Sequence, residues 1–303
     1  MQEGMTSNAA RPLRSALYVP AANPRAMAKA RQLDCDAVVF DLEDAVAPEM
    51  KAEARRHLVE AFAAGSMPGR EAVIRVNAVN TDEFALDMDA VAHCKPDAVL
   101  LPKVEQPEAL ALLGSACRAR GMSSTVQAWA MIETPAGIME LNHIARSGVA
   151  GSPRLGCLVV GTNDLAKETG VSTDDERAWM RPWLMQVVLA ARRYGIAVLD
   201  GVWNDFGNSV GFEAEALQGR KMGFDGKTLI HPSQVDGANR AFSATPEAIA
   251  DAQLIVDAFA QPEHAGAGVI NLQGRMVERL HLAQAERLLA IDKAIAERLA
   301  GRV

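Results

Sequence analysis

Basic charge, aromatic side chains and paired cysteines are all scarce in this chain. Its 303 residues include 31 Lys or Arg against 38 Asp or Glu, a net charge of −7. That argues against a nucleic-acid partner, since such proteins carry an excess of cations toward phosphate. An anionic ligand remains open, because local charge can oppose the global sign. Aromatics make up 5%, so Trp129, Trp203 and Phe224 read as core or rim packing rather than a base-stacking surface. Cys35, Cys94, Cys117 and Cys157 form no CxxC pair, which disfavours structural zinc and leaves them as small core residues of a reducing compartment. No apolar run is long enough to cross a bilayer. The opening stretch MQEGMTSNAARPLR has no signal-peptide core, so the expected setting is cytoplasmic, with no membrane partner. There is no GxSxG elbow and no HExxH, and GFDGKT fails as a phosphate loop because its leading glycine would fall at Lys221.

What is present is an alternation. Short, nearly continuous apolar runs at 15–19, 37–42, 72–76, 98–101, 126–132, 156–160, 196–199 and 228–230 suit parallel strands buried on both faces. Helical stretches lie between them. Asn23 precedes Pro24, Thr134 precedes Pro135, acids follow Thr81, and Asp174–Asp175 precede an expected helix running to Tyr194. Eight such units in roughly 240 residues match a (β/α)8 TIM barrel. The alternative is an open doubly wound sheet, but its Gly-rich first turn is missing from PAANPR. Beyond the barrel, assigned to 1–245, a C-terminal segment at 246–303 reads as a helix at 246–259, a Gly/Pro-rich loop, and an amphipathic helix at 276–299. Its apolar stripe must pack on the same subunit or, as a lid, across an oligomer.

Residues just past the ends of barrel strands face an active site. Those positions hold Asp41, Glu43 and Asp44; Arg75 and Asn77; Lys103; Glu133; Asp164; Asp200, Asn204 and Asp205; and Lys227 and His231. Helix capping accounts for Asp44 or Asn77. It accounts poorly for Arg75 and Glu133, which directly follow apolar strand residues. Excess carboxylates need counter-charge. Glu133 and Asp164, at the ends of adjacent strands, suit one Mg2+, which one or two carboxylates hold; salt bridges to Arg75 and Lys103 are the structural alternative. His231, beside Pro232, reads as a turn histidine bonded to backbone.

Seven segments in order, RSALYVPAANPRAMAKA, DAVVFDLEDAVAPEMKAEAR, VIRVN, LLPKVE, AMIETPAGI, VVGTNDLA and GFDGKTLIHPSQV, resemble the citrate lyase beta-subunit family within the HpcH/HpaI aldolase group, which includes malyl-CoA and citramalyl-CoA lyases. The resemblance implies a barrel that cleaves a carbon–carbon bond in a small 3-hydroxyacyl-CoA thioester with Mg2+, giving an acetyl-CoA-type product and a keto acid. It implies Glu133 and Asp164 as metal ligands and Arg75 as the substrate arginine. Arg14, Lys227 and His231 are expected at the substrate or CoA, with Glu43 and Asp44 supporting catalysis by holding Arg75 or ordering metal-bound water. It also implies a homotrimer or hexamer whose C-terminal segment crosses to a neighbour. One departure stands out. Family members often carry MVD followed closely by Pro in the tail, whose aspartate acts as acid or base; here the segment is Met276-Val277-Glu278-Arg279-Leu280. Glu278 is either that catalytic group or a solvated helix residue. A CoA-independent 2-keto-acid aldolase, a citrate lyase subunit needing partner subunits, and a non-catalytic scaffold barrel are the competing expectations.

Overall fold

The structure is a computed structural model and describes residues 11–300. Its first unit, Leu13–Phe242, is a closed barrel of eight parallel strands: β1 (Ser15–Pro20), β2 (Ala37–Asp41), β3 (Glu71–Arg75), β4 (Ala98–Leu101), β5 (Gln127–Ile132), β6 (Leu155–Val160), β7 (Ala197–Asp200) and β8 (Gly226–Leu229). Each strand pairs with the next, and β8 closes on β1 with Ser15 opposite Lys227. Helices α1 (Pro24–Ala30), α2 (Lys51–Ala63), α3 (Asp82–Cys94), α4 (Pro107–Ala119), α5 (Pro135–Met139), α6 (Leu141–Ala150), α7 (Thr162–Thr169), α8 (Asp174–Arg177), α9 (Arg181–Tyr194), α10 (Ser209–Met222) and α11 (Val235–Phe242) follow the strands.

Successive strand residues point to opposite faces. Ala16, Val39, Val73, Leu100, Trp129 and Val159 fill the barrel interior, while Leu17, Val38, Ile74, Val99 and Leu158 pack outward against the helices. Both faces are buried, which explains runs without a polar alternation. Asn23 and Thr134 cap α1 and α5 through their side-chain oxygens, as Asn and Thr before Pro lead one to expect. The four cysteines are buried and free.

Two sequence expectations need correction. The helix expected just after Asp174–Asp175 and through Tyr194 begins later than that. Asp175, Glu176 and Arg177 all take left-handed backbone angles, and the regular helix starts only at Arg181. Arg177 is drawn inward by an ion pair to buried Asp200, a long-range contact that overrides local helical pattern. The second unit, from Ser243 onward, contains α12 (Pro246–Phe259), a two-stranded antiparallel hairpin of β9 (Val269–Leu272) and β10 (Arg275–Glu278), and α13 (Arg279–Ala300). Met276–Glu278 is therefore strand, not helix. Gln273 and Gly274, both at positive φ, make the hairpin turn that the Gly/Pro-rich stretch concealed. Among the described residues no helix is long and apolar enough to cross a membrane.

Candidate active site

The inward parity of β1, β2, β3 and β5 carries four polar side chains to the C-terminal mouth of the barrel: Tyr18, Asp41, Arg75 and, one step past β5, Glu133. Asp41 organises this mouth. Its two oxygens accept from Arg75 Nε at 2.8 Å and Nη2 at 2.5 Å. They also accept from the backbone N–H groups of Glu43 and Ala45. With both oxygens engaged, Asp41 fixes the guanidinium and folds the β2–α2 loop, and is not left free to bind a ligand. A bidentate carboxylate clamp of this kind sets the plane of an arginine, which a lysine would not reproduce.

The free end of the guanidinium, Nη1, lies 2.9 Å from Glu43 Oε2 and 3.7 Å from Asp44 Oδ2. The Glu43 contact is off the hydrogen-bonding axis, and Oε2 is a buried oxygen with no aligned donor. Burial pushes the Glu43 carboxyl up to about 7, with Arg75 opposing and Asp44 and Asp41 adding to the rise. Arg75 also sits 4.9 Å above the Tyr18 ring, a cation–π contact. The loop bearing Glu43 and Asp44 is pinned by Lys51 of α2, whose Nζ donates to the carbonyls of Leu42 and Glu43 at 2.8 Å and to Asn77 Oδ1 at 2.9 Å. Asn77 in turn donates to buried Asp87 of α3. Lys51→Met removes all three donations. It is expected to cost about 3 kcal/mol in urea unfolding, since buried acceptors lose their partners, and to lower activity by loosening Glu43.

Glu133 is held from the other side. Its Oε1 accepts from the backbone N–H of Lys103 at 2.8 Å. Lys103, past the end of β4, takes a left-handed φ of 50°, unusual for a residue with a side chain. Oε2 lies against Gly161, where a Cβ would come within 2.5 Å of that oxygen and 2.4 Å of the Glu133 Cβ. Glycine at 161 is thus a steric condition for this carboxylate. Asp164 stands half-buried in the first turn of α7. Burial pushes Glu133 up to about 7; the Lys103 N–H and Arg75 oppose this, while the charges of Glu43 and Asp164 add to it. Burial would lower the Lys103 ammonium, but Glu43, Asp44, Glu133 and Asp164 together outweigh it and hold it above its ordinary value.

Neither Glu133 nor Asp164 makes an ion pair among the described residues. The salt-bridge alternative therefore describes Asp41 and Glu43, not this pair. No cluster of three or more His, Cys, Asp or Glu suited to a metal occurs among the described residues. Two unpaired hard-oxygen donors fit Mg2+, which keeps waters or substrate oxygens in its remaining positions, and fit poorly a metal that needs an all-protein cage.

Residues 14–232 match the HpcH/HpaI aldolase/citrate lyase family. The chain belongs to that family. Its relatives include a (3S)-malyl-CoA thioesterase of Cereibacter sphaeroides (strain KD131 / KCTC 12085), 42% identical over 287 residues that cover 95% of this chain and 97% of the relative. An L-malyl-CoA/beta-methylmalyl-CoA lyase of Cereibacter sphaeroides (strain ATCC 17025 / ATH 2.4.3) is 32% identical, covering 91% and 93%. Among solved structures, protein CitE from Mycobacterium tuberculosis in complex with magnesium, acetoacetate and coenzyme A superposes with a TM-score of 0.73 at 30% identity, over 94% of this chain and 99% of that one. The chain is thus an enzyme of a CoA-ester lyase family with a TIM-barrel fold.

The structure gathers Arg75, Glu43, Asp44, Glu133 and Asp164 at one mouth, but separates two other expected residues of this family member. Arg14 precedes β1, so it lies at the N-terminal end of the barrel, opposite the mouth. Its guanidinium is buried against Asp36 at 2.8 and 2.9 Å. Lys227 shares the outward parity of Leu229. It is fully buried between barrel and helices, with Nζ on Asp200 at 3.2 Å and on Glu215 of α10 at 2.7 Å. Both are structural ion pairs in this fold, because strand end and strand parity, not chain order, decide which side chains reach the mouth. His231 follows β8. Its Nδ1 accepts from the Ser233 backbone N–H at 3.2 Å, the turn role expected of it, and its ring stacks on exposed Phe206 with centroids 4.8 Å apart. Glu278 ends β10 in the second unit, where its backbone N–H donates to His281 Nδ1 at 2.9 Å. Tyr18 and Lys51 were not singled out from sequence. The inward parity of Ala16 and Tyr18 carried the signal for the first; nothing local carried it for the second.

Proposed function

We propose that this protein is a Mg2+-dependent enzyme of small 3-hydroxyacyl-CoA thioesters of the malyl-CoA or citramalyl-CoA class, cleaving the carbon–carbon bond to a keto acid and an acetyl-CoA-type product. The observation that carries it is the clamped Arg75 beside the unpaired Glu133 and Asp164. Glu133 and Asp164 would hold the ion, which when bound polarises substrate oxygens and lowers the pKa of a bound hydroxyl. Arg75, locked by Asp41, keeps Nη1 for an oxygen on which negative charge builds up; a preset donor needs no reorganisation as charge develops. Glu43, with one undonated oxygen and a carboxyl near 7, is placed to take up and return a proton around neutral pH. Asp44, more exposed, adds its charge to that of Glu43 at the outer side of Arg75. Glu278 is retained as a second candidate acid or base, and His231 as a border of the CoA site. A cytoplasmic homotrimer or hexamer belongs to the same proposal.

Net thioester hydrolysis is the second reading, favoured by the 42% identity to a malyl-CoA thioesterase. Cleavage drives the electrons of the broken C–C bond onto the thioester oxygen as an enolate. Hydrolysis places a water oxygen on the thioester carbon and pushes the same oxygen to an oxyanion before the thiolate leaves. One donor set serves both, so products must separate them. With purified protein, Mg2+ and malyl-CoA, the proposal expects glyoxylate and acetyl-CoA in equal amounts. Malate with free CoA, and no glyoxylate, would establish the second reading. Pyruvate from a 4-hydroxy-2-keto acid with no thioester turned over would point to a CoA-independent aldolase, and no turnover of any of these would leave only a binding barrel.

A further inference from the structure

We propose that the Tyr18 hydroxyl is a second donor to the thioester oxygen, acting beside Arg75. This deepens the proposed function and rests on it. Tyr18 rises from β1 into the barrel, and its hydroxyl reaches across to Met131 on β5, the opposite stave, at 3.9 Å from the sulfur. Arg75 Nη1 reaches the same sulfur, also at 3.9 Å. Among the described residues no other acceptor serves the Tyr18 hydroxyl. A thioether is a weak acceptor, and an inward-facing phenol normally finds a strong one. Two strong donors from different strands therefore converge on a soft, mobile side chain that an entering oxygen can displace.

The ring itself is held. The guanidinium carbon of Arg75 stands 4.9 Å from its centre, so the clamp that Asp41 places on Arg75 also orients Tyr18. Burial, opposed by Arg75 and reinforced by Asp41, Glu133 and Glu43, holds the phenol above its ordinary pKa, so it remains a donor across the working range. In either reaction the phenol gives a hydrogen bond and keeps its proton. In cleavage Glu43 takes the 3-hydroxyl proton, the O–H pair forms the keto carbonyl, the C–C pair becomes the enolate double bond, and the thioester π pair moves onto its oxygen. In hydrolysis the water lone pair makes the new C–O bond, Glu43 takes the water proton, and the carbonyl π pair moves to the oxygen and returns as the thiolate leaves. The charge that Tyr18 meets is the same.

Tyr18→Phe deletes one oxygen and leaves the ring under Arg75. The expected result is a fall in kcat of about 10²-fold, the scale of one lost oxyanion donor, with KM within about threefold, and with Mg2+ binding and the thermal midpoint unchanged. A kcat within threefold of the unaltered enzyme would overturn the inference, since a packing role for the ring survives in phenylalanine. If the unaltered protein turns over no CoA thioester, the proposed function fails separately. Calorimetry with oxalate and Mg2+, a planar dianion with enolate-like oxygens, then tests the donor site alone. About tenfold weaker oxalate binding by Tyr18→Phe supports it, and equal binding overturns it.

Discussion

Arg75→Lys is expected to reduce kcat by about 10²- to 10³-fold while the protein still folds and still binds Mg2+. The reason lies in how the guanidinium is divided. Nε and Nη2 are spent on Asp41, and Nη1 is turned toward Glu43 and Met131. A lysine nitrogen keeps the charge but is a single point. It can satisfy Asp41, whose full burial makes an unpaired charge costly, or it can face the substrate. It does not hold a fixed direction toward both. The lysine is therefore expected to follow Asp41 and leave the developing oxyanion with one donor fewer. Steady-state rates at saturating Mg2+ and thioester, beside a thermal unfolding curve, check this. Activity within fivefold of the unaltered enzyme would show that Arg75 supplies charge but not direction.

Glu133→Gln is expected to abolish Mg2+ binding and activity together, and yet to stabilise the metal-free protein at alkaline pH. Burial raises this carboxyl from 4.5 to about 7. The folded state then holds the proton more tightly than the unfolded chain. The site is at no disadvantage below about pH 4.5 and loses stability as pH rises through about 7. A neutral amide escapes that loss. At pH 8 the variant should be more stable than the metal-free parent by an amount on the order of 2 kcal/mol, and at pH 5 the difference should largely vanish. The same proton competes with the cation, so Mg2+ affinity of the parent should climb as pH rises toward about 7 and level off above it. Chemical denaturation with and without Mg2+ at the two pH values reads both effects. A variant less stable than the parent at pH 8 would show that the Glu133 carboxylate is satisfied by the protein alone.

The barrel was legible because its signal is redundant. Each strand buried on both faces leaves a continuous apolar run, and the ionisable residue at its end marks the mouth; Arg75 and Glu133 were found that way. Strand parity decides which of the remaining charges reach the mouth. Lys227 lies inside β8, and two residues before outward Leu229 it can only enter the helical shell, where Asp200 and Glu215 neutralise it. Arg14 precedes its strand and so belongs to the opposite end. Asp41 appeared as one of several strand-end acids, and its role as clamp depends on Arg75 of the next strand lying beside it in register. Lys51 acts through carbonyl oxygens eight and nine residues away, which no side-chain pattern announces. The tail misled for a local reason. Met276 and Val277 extend an apolar stripe at helical spacing, but the turn at Gln273–Gly274 pairs them with Asn271 and Ile270 as strands, and the helix begins only after Glu278.

Everything proposed for this mouth requires one divalent cation held by Glu133 and Asp164 beside Arg75. Mn2+ takes the same hard oxygen ligands as Mg2+ and scatters anomalously, so a crystal soaked in Mn2+ reports its position directly. One strong anomalous peak per chain is expected, bonded to a carboxylate oxygen of each of Glu133 and Asp164. A soaked crystal with no peak there, or with its peak at any other group of side chains, would contradict it.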